Sequence, residues 1–371
     1  MNEDFLLDKI TARKALDAYR QLQVVEGCID FCSNDYLGLV KTGALLAHGG
    51  SSSHGSTGSR LLTGNSVQAE TTESFIAAFH HAPAALLFNS GYDANLGLLS
   101  AVPQRGDTVL YDALSHASLR DGLRLSLAES WSFAHNDMTE LKTKIANATG
   151  NVFVVTESVF SMDGDQAPLK ELVEICETHK AHLVLDEAHA TGVLGNNGEG
   201  LAQSMQLEKY CFARVHTFGK ALGCHGAAVV GSTLLRDYLV NFSRPFIYTT
   251  ALPPAAVEAI HESYRLLPSL HEERKQLRRL ITLFGQLPVG FSKLPSETPV
   301  QSVIIPGNSQ AKQVAAACRQ AGFDIRAILY PTVPKGKERL RIVLHSFNTE
   351  EELQSLSVLL TSAWQQAQAS A

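Results

Sequence analysis

The sequence is poor in aromatic residues, 7% in all with only two tryptophans, and carries no strong excess of charge of either sign. Thirty-one Lys and Arg stand against 37 Asp and Glu, a formal net charge of -6 that argues against a nucleic-acid partner. No run of about 18 apolar residues occurs, so no membrane-spanning helix is expected. The opening Met1-Asn2-Glu3-Asp4 lacks the basic and apolar stretches of a signal peptide, which makes the cytoplasm the expected compartment. Six scattered cysteines read as free thiols, because the Cys28 and Cys32 pair has zinc-like spacing but no second ligand pair follows. No metal site is expected, and no internal repeat or low-complexity segment is visible.

What is present is enough for a large core. At 371 residues and 45% hydrophobic composition, two or three domains are expected. Residues 4–21 carry apolar positions at helical spacing and predict one amphipathic helix, followed by a short β-run at Ile29-Asp30-Phe31. A glycine- and serine-rich stretch, Gly49 to Asn65, is interrupted by Arg60-Leu61-Leu62 and reads as an ordered functional loop. From about residue 67 to 231, helical periods alternate with β-runs at 84–88, 108–111, 152–156, 182–186, 214–217 and 227–231. That alternation predicts an α/β fold with a mostly parallel sheet and helices on both faces. A long helical segment, 255–284, should kink at Pro268, and a smaller α+β unit follows from about residue 296. The expected divisions are an N-terminal segment 1–40, a large α/β domain 41–255, and a linking helix with a C-terminal α+β domain 256–371.

Two positions point to chemistry. Lys220 lies in His216-Thr217-Phe218-Gly219-Lys220-Ala221-Leu222-Gly223, between two strand-like runs and with no other formal charge nearby in sequence. A lysine delivered there toward the interior favours its free amine, the form that makes a Schiff base. Asp186 ends the β-run Leu183-Val184-Leu185-Asp186, where ligands bind in open α/β sheets. A carboxylate beside a pyridinium nitrogen raises its pKa by about 1–3 units and keeps such a ring protonated. Each position alone has an ordinary reading, a turn lysine and a helix-capping aspartate.

The segments Ser33-Asn34-Asp35-Tyr36-Leu37-Gly38-Leu39, Gly55-Ser56-Thr57-Gly58-Ser59-Arg60, Ser115-His116-Ala117-Ser118, Ser158 to Asp165, Asp186-Glu187-Ala188-His189 and Thr217-Phe218-Gly219-Lys220 resemble the α-oxoamine synthases. These are fold-type I pyridoxal phosphate (PLP) enzymes that condense an amino acid with an acyl thioester and release CO2. The runs Ile247 to Pro254 and Pro331 to Pro334, with Arg339-Leu340-Arg341, resemble the subgroup that joins L-alanine to a pimeloyl thioester in biotin biosynthesis. The resemblance implies PLP on Lys220, with Asp186 at its ring nitrogen and His116 stacked on the ring. Gly91, Tyr92 and Thr217 are implied as further cofactor contacts, Ser161 as a hydrogen-bonding one, and His189 at the phenolic oxygen. Thr249 and Thr250 are implied to reach the phosphate of a neighbouring subunit, hence a homodimer with shared sites. Asn34 helps complete the site, and Arg20, Thr332 and Arg341 contact substrate, Arg341 through the amino acid's carboxylate. Alternation along the strand is expected to leave only one of Arg339 and Arg341 facing the site. The acyl carrier is coenzyme A or an acyl carrier protein.

Other signatures fail. Arg214 and Ala221 break a phosphate-loop pattern around Lys220, and neither His261-Glu262 nor His271-Glu272 gains the second histidine of a zinc protease. Three alternatives stay open: a sibling condensing glycine with acetyl-CoA, a fold-type I aminotransferase, and a non-catalytic protein that kept the fold.

Overall fold

The computed structural model describes residues 3–45 and 53–369, so Met1, Asn2 and the Gly49–Ser52 part of the glycine- and serine-rich stretch lie outside the described residues. The chain divides into two compact units, one of Leu37–Ser161 with Gln166–Arg274, the other of Met1–Tyr36, Met162–Asp165 and Lys275–Ala371. Among the described residues, twelve strands are numbered in chain order: β1 (Ile29–Asp30), β2 (Ala84–Phe88), β3 (Thr108–Asp112), β4 (Glu129–Phe133), β5 (Val152–Glu157), β6 (His182–Asp186), β7 (Cys211–Thr217), β8 (Ala227–Gly231), β9 (Val300–Ile304), β10 (Phe323–Asp324), β11 (Arg326–Ile328) and β12 (Arg339–Val343).

The larger unit is built on a seven-stranded sheet of order β2-β8-β7-β6-β5-β3-β4. Strands β7, β6, β5, β3 and β4 pair in parallel, while β8 runs antiparallel to both of its neighbours. The central strands are apolar and buried along nearly their whole length, as a sheet covered on both faces requires. Their side chains alternate between two cores. Leu110, Val154, Leu183 and Leu185 pack with Leu141, Leu172 and Leu201 on one face. Val109, Val155, Val184 and Val215 pack with Leu98, Leu119 and Leu239 on the other. The period of two therefore decides which face each strand-end residue serves. Glu157, Asp186 and Thr217 follow Val155, Val184 and Val215 by two, so all three are directed to the face of helices Gly91–Ala101 and Ala117–Leu125.

Two helical readings change in detail. The N-terminal helix spans Asp4–Ala15 and buries none of its residues, so its apolar spacing does not report a core face among the described residues. The predicted kink falls where Pro268 sits, in a 3-10 turn Leu267–Ser269 between helices Pro254–Leu266 and His271–Gln286. Strand β4, Glu-Ser-Trp-Ser-Phe, is absent from the sequence reading because an edge strand with mostly exposed polar residues lacks an apolar run.

The smaller unit holds a three-stranded antiparallel sheet, β11-β12-β9, and the short parallel pair β1-β10. Helices Asn308–Gln320 and Glu350–Ala369 belong to it. No helix among the described residues is long and apolar enough to cross a membrane.

Candidate active site

The site residues of the larger unit collect around the carboxyl ends of β5, β6 and β7. Asp186 is 4% exposed, and its carboxylate accepts from Asn95 Nδ2 at 2.7 Å and from the backbone N of Ala188 at 2.9 Å. Both donors are neutral. Beside it in register on β5 is Glu157, 2% exposed, whose Oε1 accepts from the backbone N of His116 at 2.6 Å. Burial, and then the neighbouring Asp186 charge, push the Glu157 carboxyl well above the usual carboxylate range.

His116 is the N-cap of helix Ala117–Leu125, its Nδ1 accepting from the backbone N of Ser118 at 3.2 Å. Ser118 Oγ lies 2.7 Å from the same nitrogen. The protein around the ring desolvates it and Lys220 repels a proton there, so His116 is held below the ordinary histidine range against the opposing pull of Asp186. The residue as a whole still reaches solvent.

Lys220 is half-buried in the turn after β7, with Nζ 3.5 Å from Thr217 Oγ1. Thr217 in turn abuts the start of helix Gly91–Ala101: a Cβ on Gly91 would come within 2.6 Å of Thr217 Cγ2. Glycine at 91 is thus a packing requirement, and it lets the first amides of an eleven-residue helix approach β7 closely. Ser90 caps that helix through Asp93 N, and Tyr92 OH donates to Asp121 of the next helix. His189 is buried in the turn after β6, while Ser161 is half-buried in the turn after β5. Thr249 and Thr250 are tied to Asn89, whose Nδ2 donates to Thr249 Oγ1 at 3.5 Å and to the carbonyl of Thr250 at 2.9 Å. With Gly55, Ser56 and Arg60, Asn89 and Thr249 line a cavity of about 160 Å³.

The described part of the glycine- and serine-rich stretch is held by Arg60. Its guanidinium makes a bidentate pair with Glu73, at 2.8 and 3.0 Å, and Nε donates to Asn65 at 2.8 Å.

Four sequence-predicted residues belong to the smaller unit, and they come together as two pairs. Arg20 donates to Thr332 Oγ1 at 3.2 Å, and Arg341 donates to Asn34 Oδ1 at 3.0 Å. The expected alternation of Arg339 and Arg341 needs correction, since residues two apart on a strand share a face. Partners separate them instead. Arg339 is buried in an ion pair with Asp163, whereas the guanidinium of Arg341 meets a neutral amide.

Sequence reading missed Asn95, Ser118, Glu157 and Asn89. Asn95 had a usable signal, a polar residue four after Gly91 amid the helix's apolar positions; Glu157 reads as the unremarked end of a β-run.

These residues suit a PLP group: a half-buried lysine, a buried carboxylate held by neutral donors, an imidazole, and a helix start open to a phosphate. The aminotransferase class I and II family matches residues 26–357. Among curated proteins, the chain is similar to the 8-amino-7-oxononanoate synthase of Emericella nidulans, 40% identical over 95% of this chain and 93% of that protein. It is 43% identical to the 8-amino-7-oxononanoate synthase of Lysinibacillus sphaericus, over 87% of this chain and 85% of that one. Among solved structures it resembles a serine palmitoyltransferase from S. paucimobilis carrying a PLP–myriocin aldimine, with a TM-score of 0.88, 28% identity, and coverage of 99% of this chain and 98% of the other. The chain belongs to the aminotransferase class I and II family, in the branch of the 8-amino-7-oxononanoate synthases.

Proposed function

We propose that the protein is a PLP-dependent acyltransferase that condenses L-alanine with a pimeloyl thioester, giving 8-amino-7-oxononanoate, CO2 and free thiol for biotin biosynthesis. The observation that carries this reading is the linkage of Asp186 to His116 through the hydrogen-bonded chain Asp186–Asn95–Ser118–His116, on the sheet face that also receives Thr217, three residues before Lys220. Bound PLP supplies an electron sink for the pair of electrons left on the alanine Cα when its proton is removed.

The chain's own residues do the rest. Lys220 Nζ would hold the cofactor, and its amine would take the Cα proton and later return one. Asp186 would face the ring nitrogen with its carboxylate. His116 would stack on the ring and offer an N–H to the acyl oxygen. Ser161 would hydrogen-bond the cofactor, His189 would reach its phenolic oxygen, and Gly91, Tyr92 and Thr217 would hold the cofactor at the helix start. Thr249 and Thr250 serve the phosphate of a second copy, so the working enzyme is a homodimer with shared sites. Asn34, Arg20, Thr332 and Arg341 receive substrate, Arg341 binding the alanine carboxylate as a guanidinium fork. The acyl carrier is coenzyme A or an acyl carrier protein, and this reading puts the enzyme in the cytoplasm.

Thiol release, measured with alanine, glycine or serine against pimeloyl, acetyl or palmitoyl thioesters of either carrier, tests the assignment. Alanine with a pimeloyl thioester is expected to be turned over fastest. A preference for glycine with acetyl-CoA overturns the substrate assignment, and amino exchange with a keto acid without thiol release overturns the reaction.

A further inference from the structure

Asn95 has no place in the roles above, yet it touches two of the groups that do. It is 1% exposed, and its Nδ2 donates both to Asp186 at 2.7 Å and to Ser118 Oγ at 3.0 Å. Its amide orientation follows from chemistry, because turning it over would set its carbonyl oxygen against the Asp186 carboxylate. Both Nδ2 protons are therefore committed. Ser118 Oγ receives one of them, and its own single proton is free to go to His116 Nδ1, 2.7 Å away. The backbone N–H of Ser118 also points at that nitrogen. An N–H can donate to Nδ1 only if Nδ1 carries no proton, so the two donors agree.

Packing explains why the relay closes. Gly122 lies where its helix crosses the helix of Asn95; a Cβ there would come within 2.9 Å of Leu99 Cβ and 3.0 Å of the Asn95 carbonyl oxygen. The two helices approach closely because that Cβ is missing, and Asn95 reaches Ser118 across the contact.

We infer that Asn95 and Ser118 are positioning residues that lock His116 as the neutral tautomer with its proton on Nε2 and tie its orientation to Asp186. This deepens the proposed reaction and rests on it for its catalytic meaning: His116 presents a donor N–H to a developing oxyanion and has no lone pair at Nδ1 left for base chemistry. Four charged or titratable groups surround the ring: Glu157 from β5, Asp186 from β6, Lys220 from the turn after β7 and Asp121 from its own helix. The hydrogen bonds to Nδ1 come instead from Ser118, with Asn95 behind it, so these two neutral residues select the tautomer.

The test is nitrogen NMR of histidine-labelled protein, with and without PLP, His116 being assigned by the signal lost in His116→Gln. The unaltered protein is expected to show an unprotonated Nδ1 and a protonated Nε2. Ser118→Ala and Asn95→Ala are both expected to raise the His116 pKa and admit the other tautomer, because donors to Nδ1 favour its unprotonated state. In both, kcat falls roughly tenfold, the size of one lost hydrogen bond, with the KM for alanine unchanged. A protonated Nδ1 in the unaltered protein refutes the inference without any variant. A His116 signal that ignores Asn95→Ala refutes the relay. A correct tautomer in a protein that neither binds PLP nor releases thiol would instead count against the proposed function alone.

Discussion

Two histidine clusters in the larger unit show how much a ring's surroundings decide. His80 and His216 stack face to face, with ring centroids 3.6 Å apart, and both are fully buried. Thr191 Oγ1 donates to the carbonyl of Glu187, so it must accept from His216 Nδ1, 2.8 Å away. His216 is therefore protonated on Nδ1, and its Nε2 is buried with no hydrogen-bond partner among the described residues. His116 has the reverse arrangement, with Nδ1 accepting. One cluster keeps its lone pair in the buried interior near Arg214, and the other sets an imidazole that reaches solvent near Asp186. Identical side chains thus become scaffold in one place and chemistry in the other. The difference comes from the neighbouring charge and from whether the partner at Nδ1 accepts a proton or donates one.

The comparison breaks most visibly at the chemical cluster. Lys220→Ala is expected to abolish the label that borohydride fixes at this position and to lower turnover by roughly a thousandfold or more. Peptide mass analysis after reduction and a thiol-release assay check both, and a variant retaining full turnover removes the lysine from the mechanism. Asp186→Asn should retain cofactor yet lose roughly 10- to 1,000-fold in rate, the equivalent of about 1–3 pKa units at a ring nitrogen. Unchanged rate there would mean that the carboxylate only caps the turn at Ala188.

At the scaffold cluster the same kind of change should act on stability instead. Tyr264 OH lies 2.9 Å from His80 Nε2 in a fully buried position. Tyr264→Phe leaves that nitrogen without its partner and should cost about 1–3 kcal/mol of stability. Denaturant unfolding measures the loss, and turnover at a temperature where the variant is folded should stay within about twofold. A large fall in turnover with little change in stability would erase the distinction between the clusters.

Much of this division was legible in the sequence. Asp186 and Lys220 were readable because strand ends are marked by the close of an apolar run, and the sheet rule says where ligands meet such ends. Arg60 announced an ordered loop by interrupting a glycine- and serine-rich stretch, and Glu73 is the partner that orders it. Asn95 and Ser118 were not readable as a pair. Their meeting depends on a helix crossing at Gly122, a contact between residues 23 apart whose chemistry neither helix advertises. Arg339 and Arg341 show a second limit: their strand period is the same, and the Asp163 carboxylate on Arg339, far away in sequence, is not legible from the strand.

Acid should separate the clusters by the smallest but most specific margin. Burial holds both His80 and His216 well below the ordinary histidine range, with Arg214 adding to the effect on each. The unfolded chain takes up protons at these positions below about pH 6.5, while the folded one refuses them. Their stabilisation is thus intact above that pH and is lost as pH falls below it, at up to about 1.4 kcal/mol per pH unit for each ring. Glu157 and Glu187, raised by burial, run the other way: the folded state keeps protons that the unfolded chain releases above about pH 4.3. The total slope therefore mixes opposing signs, and a difference between two proteins is needed to isolate the histidine. His216→Asn keeps an N–H near Thr191 Oγ1 but cannot titrate. Between pH 7.5 and 5.5 its unfolding free energy should fall less steeply than that of the unaltered protein, by about one ring's share. Parallel slopes would mean that His216 takes a proton while folded, which neither its stacking on His80 nor its place beside Arg214 permits.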